Sequence, residues 1–374
     1  MTALSLRPVR ADDHDEIERL KRQHGLGAYT REEWAHLFEH NPLFGKRHLD
    51  WPWGWVLESP DGILHGHLGN VPVEYSFHGR TIAAAAASDW VVEQEHRGQS
   101  LQLVLQFFRQ STAELLLNTT ASENYGRAYE KLGARRPPGD YDRNVMWPVN
   151  RRAFAAAATH KLGLPSNPLT RELLAVGLVP VTAFRRVATA IGRMGAPRVD
   201  VCHEFDTRFD AFWEHLRSRE GLVCVRDAEA LRWRFGRGVA SGDVWVHAIA
   251  DDQAVSAYVI LAKATEGGVK RIRLVDYQDQ GPDRSRVAAL LTSVFARCRD
   301  ESIDAVQAVG VAPENRRRFV GLGGVARPMP PMMFYFKAVE PKLQTALERP
   351  GGWQPSPYDG DGHCGTPAFF GVRE

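Results

Sequence analysis

With 374 residues, 44% of them apolar and 25% charged, the chain has the composition of an ordinary globular protein and the length of two domains rather than one core. A formal net charge of +2 makes no case for nucleic acid, and four scattered cysteines (Cys202, Cys224, Cys298, Cys364) without a CxxC pair indicate neither a disulfide framework nor a zinc site. The opening residues hold no secretory apolar core and no apolar run approaches the ~20 residues of a membrane span, so the expected location is cytoplasmic.

In chain order, Leu4, Leu6 and Val9 predict a first strand, and Asp12-Asp13 ahead of Ile17 and Leu20 a capped helix. Trp51, Trp53 and Trp55 alternate, which predicts one shared strand face packed into the core. A hairpin is expected around Pro60-Asp61-Gly62 and a second around His78-Gly79, the latter running from Val71 through Val92. His65 and His67 share a face of the first hairpin, with no third metal ligand at a recognisable spacing, so no metal is expected. After Val92 the chain breaks at Arg97-Gly98 and resumes as the apolar-periodic run Leu101, Leu103, Val104, Leu105, Phe107, Phe108, a helix. A strand entering a glycine turn at a helix N-terminus is an anion site: first-turn N–H groups lack internal partners and the helix dipole favours negative charge. Arg97 adds a cation suited to phosphate. A strand over Leu115–Thr119 and a helix from about Asn124 to Leu132, ended by Gly133, complete this part.

Residues 151–199 read as a basic, Pro-punctuated helical connector, with Arg151, Arg152, Lys161, Arg171, Arg185, Arg186, Arg193 and Arg198 against the single Glu172. Two readings stay open: a solvated basic face, or a docking surface for an acidic partner or an anionic membrane surface. Beyond residue 200 the landmarks return near an offset of 190 residues. Trp245-Val246 answers Trp55-Val56, Glu314-Asn315 answers Glu123-Asn124, and Gly321-Leu322-Gly323 answers Lys131-Leu132-Gly133. That order indicates a duplication. Residues 339–374 read as a Gly/Pro-rich tail of coil wrapping the surface.

Two segments, Val92-Glu93-Gln94-Glu95-His96-Arg97-Gly98-Gln99-Ser100-Leu101 and Asn124-Tyr125-Gly126-Arg127-Ala128-Tyr129-Glu130-Lys131-Leu132-Gly133, resemble the GNAT superfamily of N-acetyltransferases. The family's cofactor loop follows a strand and opens a helix, and an Asn and a Tyr-x-Lys-x-Gly stretch come later. The resemblance covers residues 1–150 well and 200–338 in outline. It implies an α/β (α+β) fold of two tandem GNAT-like domains, each a mixed, mostly antiparallel sheet flanked by helices. Residues 1–150 would be the acyl-CoA-binding catalytic domain and residues 200–338 a degenerate copy.

What the resemblance implies about activity is N-acyl transfer, most simply acetyl, from acetyl-CoA or another acyl-CoA to an amine of a small molecule or peptide. Asp89 would be the base, Tyr129 the acid for the CoA thiolate, and backbone N–H groups near Val92 would polarise the carbonyl. Val91, Val92, Arg97, Gly98, Gln99, Ser100, Leu101 and Asn124 would hold the cofactor. Two departures stand out: Ser100 and Gln102 occupy the family's small positions. In the second copy Asp279-Gln280-Gly281-Pro282-Asp283 offers two acids to an anion, and Phe319 stands where Tyr129 should be. The alternatives are a non-catalytic GNAT-fold scaffold and an aminoacyl-tRNA-dependent transferase.

Overall fold

The computed structural model describes residues 4–359, apart from 48–50, 122, 162–164, 166, 193–194, 196, 267, 282 and 330–332. The first half opens with β1 (Ser5–Pro8), α1 (His14–Gln23), α2 (Arg31–Phe38) and α3 (Pro42–Arg47). It continues through the meander β2 (Gly54–Glu58), β3 (Leu64–Phe77) and β4 (Arg80–Val92). A 3-10 turn over Gln94–Gln99 leads into α4 (Ser100–Arg109), then β5 (Leu115–Ala121), α5 (Glu123–Lys131) and β6 (Arg143–Pro148). Three connector helices follow, α6 (Arg151–Lys161), α7 (Pro168–Gly177) and α8 (Val179–Gly192). The second half contains β7 (Asp200–Cys202), α9 (Thr207–Leu216), β8 (Leu222–Cys224), α10 (Ala228–Ser241), β9 (Val244–Ala250), β10 (Val255–Glu266) and β11 (Val269–Asp279). After them come α11 (Arg284–Asp300), β12 (Ala305–Ala308), α12 (Pro313–Gly321), β13 (Val325–Pro328), β14 (Met333–Ala338) and α13 (Pro341–Leu347).

Local chemistry explains the boundaries. His78 and Gly79 both take positive φ (50° and 77°), the pair of left-handed residues that matches a two-residue hairpin turn to strand twist. Thr30 accepts from the Glu33 N–H while the Glu33 side chain reaches back to Thr30, a reciprocal cap that starts α2. Asn167 caps α7 one residue before Pro168, whose missing N–H costs nothing at that position.

Among the described residues the strands form two seven-stranded sheets. The first has the order β1-β2-β3-β4-β5-β14, with β8 added to β3, and the second β13-β6-β12-β11-β10-β9-β7. Each is antiparallel except for one central parallel pair, β4–β5 and β11–β12. The halves trade a strand. β6 pairs antiparallel with β12 of the second sheet, and β14 pairs antiparallel with β5 of the first. The exchange is reciprocal and in step, since β6 starts at Arg143 and β14 at Met333, 190 residues later. β2 and β9 start at Gly54 and Val244, and α5 and α12 at Glu123 and Pro313, at the same interval.

Three sequence expectations are corrected. Trp51 and Trp53 precede β2 and the three tryptophans do not share a face. Trp51 and Trp55 pack with Leu103 and Phe107 under α4, whereas Trp53 packs against Trp34 and Phe38 on the other side. Residues 339–359 are not simply coil, and residues 360–374 of the expected tail lie outside the described residues. Pro341–Leu347 is helical, and Trp353 and Tyr358 are buried between the halves' elements, against Tyr75 and Arg234. Pro168–Ile191, broken at Leu178, is long and apolar enough to cross a membrane. Its polar interruptions had hidden that.

Candidate active site

The site is a gap between two strands. β4 and β5 pair in parallel only from Ala84–Leu115 to Ala86–Leu117, although β4 runs on to Val92 and β5 to Ala121. Beyond that point the strands part. The cause lies on the other side of β4, where the β3 register passes from His67–Val91 to Gly69–Ser88, so that Asp89 and Trp90 oppose Leu68 alone. Such a bulge bends its strand, raises its twist and re-aims its side chains. Asp89 takes φ +47° within it, a region that Asp tolerates better than most residues. Among the described residues the β4–β5 ladder ends at Ala86–Leu117, and β4 runs on past it through Val91 and Val92.

Asp89 is tied down from behind. Lys21 Nζ lies 3.3 Å from its Oδ2 and 3.0 Å from Glu18 Oε1, and the same ammonium stands 3.5 Å over the Tyr29 ring. Lys21 is fully buried, so this cluster satisfies a charge that would otherwise be very costly inside. Burial raises the Glu18 carboxyl above its usual range, against the opposing pull of Lys21. His67 places Nδ1 3.2 Å from the Asp89 carbonyl. Its complete burial pushes it down to about 4, so it is a neutral ring at pH 7.

Tyr129 stands where the gap opens. Asn118, the residue after the last β4–β5 pair, donates from Nδ2 to the Tyr129 hydroxyl at 3.0 Å. The ring is wedged among Trp90, Phe108 and Tyr335, at centroid distances of 6.0, 5.6 and 5.6 Å. Tyr335 comes from β14, so the other half of the chain completes this wall. It fits because residue 126 of α5 is glycine; a Cβ there would collide with the Tyr335 ring and hydroxyl. Asn124 falls in the first turn of α5, and its side chain lies outside the described residues.

The expected phosphate turn follows. Arg97 and Gly98 are exposed. Ser100 folds its Oγ back onto the Arg97 carbonyl at 2.7 Å, and no side chain caps α4. The Ser100 N–H donates to the Arg97 carbonyl, so the 3-10 turn runs directly into α4 and satisfies its first amide. Gly98 has an ordinary φ, and a Cβ on it would meet nothing within 4 Å. Neither backbone strain nor the protein's own packing requires glycine there, and the space beside it is free for a ligand's approach. Leu101 and Gln102 point outward on the first turn of α4, leaving the open face at Gly98.

No protein-family model matches the sequence, and a search of curated proteins finds no match. Solved structures do match. The GCN5-related N-acetyltransferase of Kribbella flavida superposes with a TM-score of 0.54 at 13% identity, over 92% of this chain and 72% of that one. A probable N-acyltransferase of Enterococcus faecalis V583 gives 0.54 at 12%, over 91% and 73%. Saccharomyces cerevisiae N-myristoyltransferase, solved with bound myristoyl-CoA and inhibitors, gives 0.54 at 13%, over 90% and 81%. At 12–13% identity the likeness is one of fold, which this chain shares with these three structures.

In the second half the corresponding parting has another origin: all four residues of β12 pair with β11, the last pair being Leu274–Ala308, and β12 ends there while β11 runs on to Asp279. The helix start of this half also differs. The Asp283 carboxylate accepts from the Ser285 N–H at 2.7 Å and occupies the N-terminus of α11, where an anion would otherwise bind. Phe319 is buried at the place of Tyr129 and offers no hydroxyl. Beside this parting lies a polar cavity of about 350 Å³, lined among others by Arg219, Asp279, Asn315, Arg318 and Asp359.

Two site features escaped the sequence. Tyr335 lies some two hundred residues from Tyr129, and only the 190-residue interval between β6 and β14 could have pointed to it. The other is the meeting of His65 with Glu93 and His96, taken up below.

Proposed function

We propose that this protein is an N-acyltransferase that moves an acyl group, most simply acetyl, from acyl-CoA to an amine, with the first half catalytic. The observation that carries the reading is the parting of β4 from β5 with the Tyr129 hydroxyl held by Asn118 at its apex. The gap past the last β4–β5 pair, beside Val91 and Val92, would take pantetheine as an added strand, and the start of α4 would take the pyrophosphate beside Arg97, Gly98, Gln99, Ser100 and Leu101. The amine nitrogen attacks the thioester carbon, the C–S bond breaks, and no covalent enzyme species forms. The amine's proton passes to Asp89 through water, Tyr129 gives its proton to the departing thiolate, and β4 backbone N–H groups stabilise the oxyanion. The second half would be a pseudo-domain, its anion site taken by Asp283. Its polar cavity supports a role in acceptor binding. Calorimetric titration with acetyl-CoA is the test. Heat with one-to-one stoichiometry is expected, and no heat at high micromolar cofactor would leave a non-catalytic scaffold instead.

We further infer that the connector rests on an anionic lipid surface. Leu169, Leu173 and Val176 of α7 and Phe184, Val187 and Ile191 of α8 are 56–70% exposed at helical spacing, more apolar surface than a solvated face carries. The inner face, with Ala175, Thr182, Arg185, Ala188 and Thr189, is buried, and Arg185 Nη1 donates to the Pro148 carbonyl at 2.7 Å. One face packs on the protein while the other is bare, so this stretch would lie on a bilayer rather than span it. Exposed Arg151, Arg152, Arg171, Arg186 and Arg198 flank it. That charge favours anionic lipid and disfavours a second copy of the same face.

A further inference from the structure

We propose that His65, Glu93 and His96 form a binding site for a zinc-class divalent cation that pins the turn opening α4 to β3. They are the one such trio among the described residues, with one ligand atom from each lying within 4.8 Å of the others. His65 projects from β3. Glu93 and His96 sit three residues apart at the start of the 3-10 turn, where the His96 N–H donates to the Glu93 carbonyl at 3.0 Å. The Glu93 N–H in turn donates to the His65 carbonyl at 2.9 Å, so backbone bonds alone fix the three residues as neighbours.

The hydrogen bonds around His65 assign its protons. The Ser59 hydroxyl, which has one hydrogen, faces two acceptors, the Asp61 carboxylate and the Ile63 carbonyl at 3.1 Å. It therefore accepts from His65 Nε2–H at 3.2 Å. That is the outer partner a ligating histidine needs, and it leaves the lone pair of the neutral ring on Nδ1. Nδ1 lies 2.6 Å from Glu93 Oε2. A lone pair and a carboxylate oxygen cannot stay that close without a cation between them. The cation is either a proton on the ring or a metal.

His96 favours the metal. Its ring centroid is 4.4 Å from that of His65, and its Nδ1 is buried with no hydrogen-bond partner among the described residues. An imidazolium–carboxylate pair gives this ring nothing to do, whereas a metal gives it a bond. Two imidazoles and one carboxylate are a zinc-type donor set with a fourth position left for water. Bonds of about 2.0–2.2 Å require Nδ1 and Oε2 to separate by less than about 1 Å, within reach of a half-buried glutamate. Arg19 Nη1, 3.7 Å from Glu93 Oε1, holds the other carboxylate oxygen and leaves Oε2 to the metal. The ligands come from β3 and from the turn ending at Gly98–Gln99, so binding would rigidify that turn and add positive charge near the α4 N-terminus.

The test uses the full chain, stripped with chelator, and does not depend on the acyl-transfer reading. Calorimetry with zinc should show one site per chain that His65→Ala and His96→Ala both remove. Cobalt should give the strong visible absorption of a tetrahedral site in the parent and not in His96→Ala. Ser59→Ala keeps all three ligands and should weaken zinc binding by roughly 10–100-fold. Zinc should also slow amide exchange across Gln94–Gln99. His96 is half-exposed, so its variant should keep the parent's melting temperature and serve as the folded control. If the parent and a folded His96→Ala bind zinc alike, or neither binds it, His65 and Glu93 are an ordinary ion pair and the proposal is wrong.

Discussion

Lys21 Nζ lies 3.3 Å from the Asp89 carboxylate and 3.0 Å from Glu18, fully buried, and so bridges α1 to the bulge that opens the site. Removing the cation takes away the charge that Glu18 and Asp89 share. Lys21→Met should destabilise the fold by about 3–5 kcal/mol, read as a lowered denaturation midpoint. Asp89→Asn should cost much less, since Lys21 keeps Glu18 and Asn tolerates the left-handed backbone. If Asp89 is the base, that second variant loses turnover while it stays folded. Turnover equal to the parent's would remove Asp89 from the chemistry and leave it a structural acid.

Tyr129 separates binding from chemistry. Its ring is packed on three aromatic neighbours, which Phe preserves, and only the hydroxyl bonded to Asn118 is lost. Tyr129→Phe should therefore lower kcat by roughly 10²-fold or more, the range of a lost general acid, with KM for acyl-CoA little changed. A rise in KM with kcat intact would make Tyr129 a binding residue.

Gly98 tests the cofactor turn without touching the fold. A Cβ there meets nothing within 4 Å among the described residues, so Gly98→Leu should leave the melting temperature within about 2 °C of the parent. It should weaken acyl-CoA binding at least tenfold by calorimetry. Unchanged affinity would place the pyrophosphate elsewhere.

Most of the first half could be read from the sequence because its signals are local. The His78-Gly79 hairpin, the Arg97-Gly98 break and the apolar period of α4 each depend on residues a few positions apart. The site itself depends on longer reach. Only the β3–β4 register reveals the bulge at Asp89. Lys21 arrives from α1 and Tyr335 from the far half. The spacing of His65 and His67 points to a shared face, but the two side chains that meet His65, Glu93 and His96, follow the neighbouring strand β4, and His67 is not in the cluster. The tryptophan alternation misled because Trp51 and Trp53 precede the strand, and a period of two holds only in extended, paired backbone.

Acid should unfold the protein through two histidines. Burial pushes both His67 and His247 down to about 4, in the latter case with Arg297 adding to the effect. The unfolded chain takes up these protons near 6.5 and the folded one near 4, so the stability present above pH 6.5 is lost as pH falls through that window. Each contributes at most about 3 kcal/mol. Urea unfolding at pH 7 and pH 4.5 should show the drop, and His247→Gln should make the pH dependence shallower. An unchanged slope would mean that His247 protonates in the folded state at no cost.

The apolar face of α7 and α8 makes the last prediction. Vesicles of phosphatidylglycerol should co-sediment the protein, those of phosphatidylcholine much less, and added salt should weaken binding because Arg151, Arg152, Arg171 and Arg186 are exposed and screened at a Debye length of about 8 Å. Leu173→Glu with Phe184→Glu alters two side chains that are 64% and 58% exposed, so the fold should hold and vesicle binding should vanish. If the double variant binds as the parent does, the arginines alone suffice and the apolar face has another use. If the parent ignores vesicles but an acidic protein captures it, the surface serves a protein. If neither binds and the parent self-associates until Leu173→Glu separates it, the face is an interface between copies, held by apolar burial strong enough to overcome the arginine repulsion.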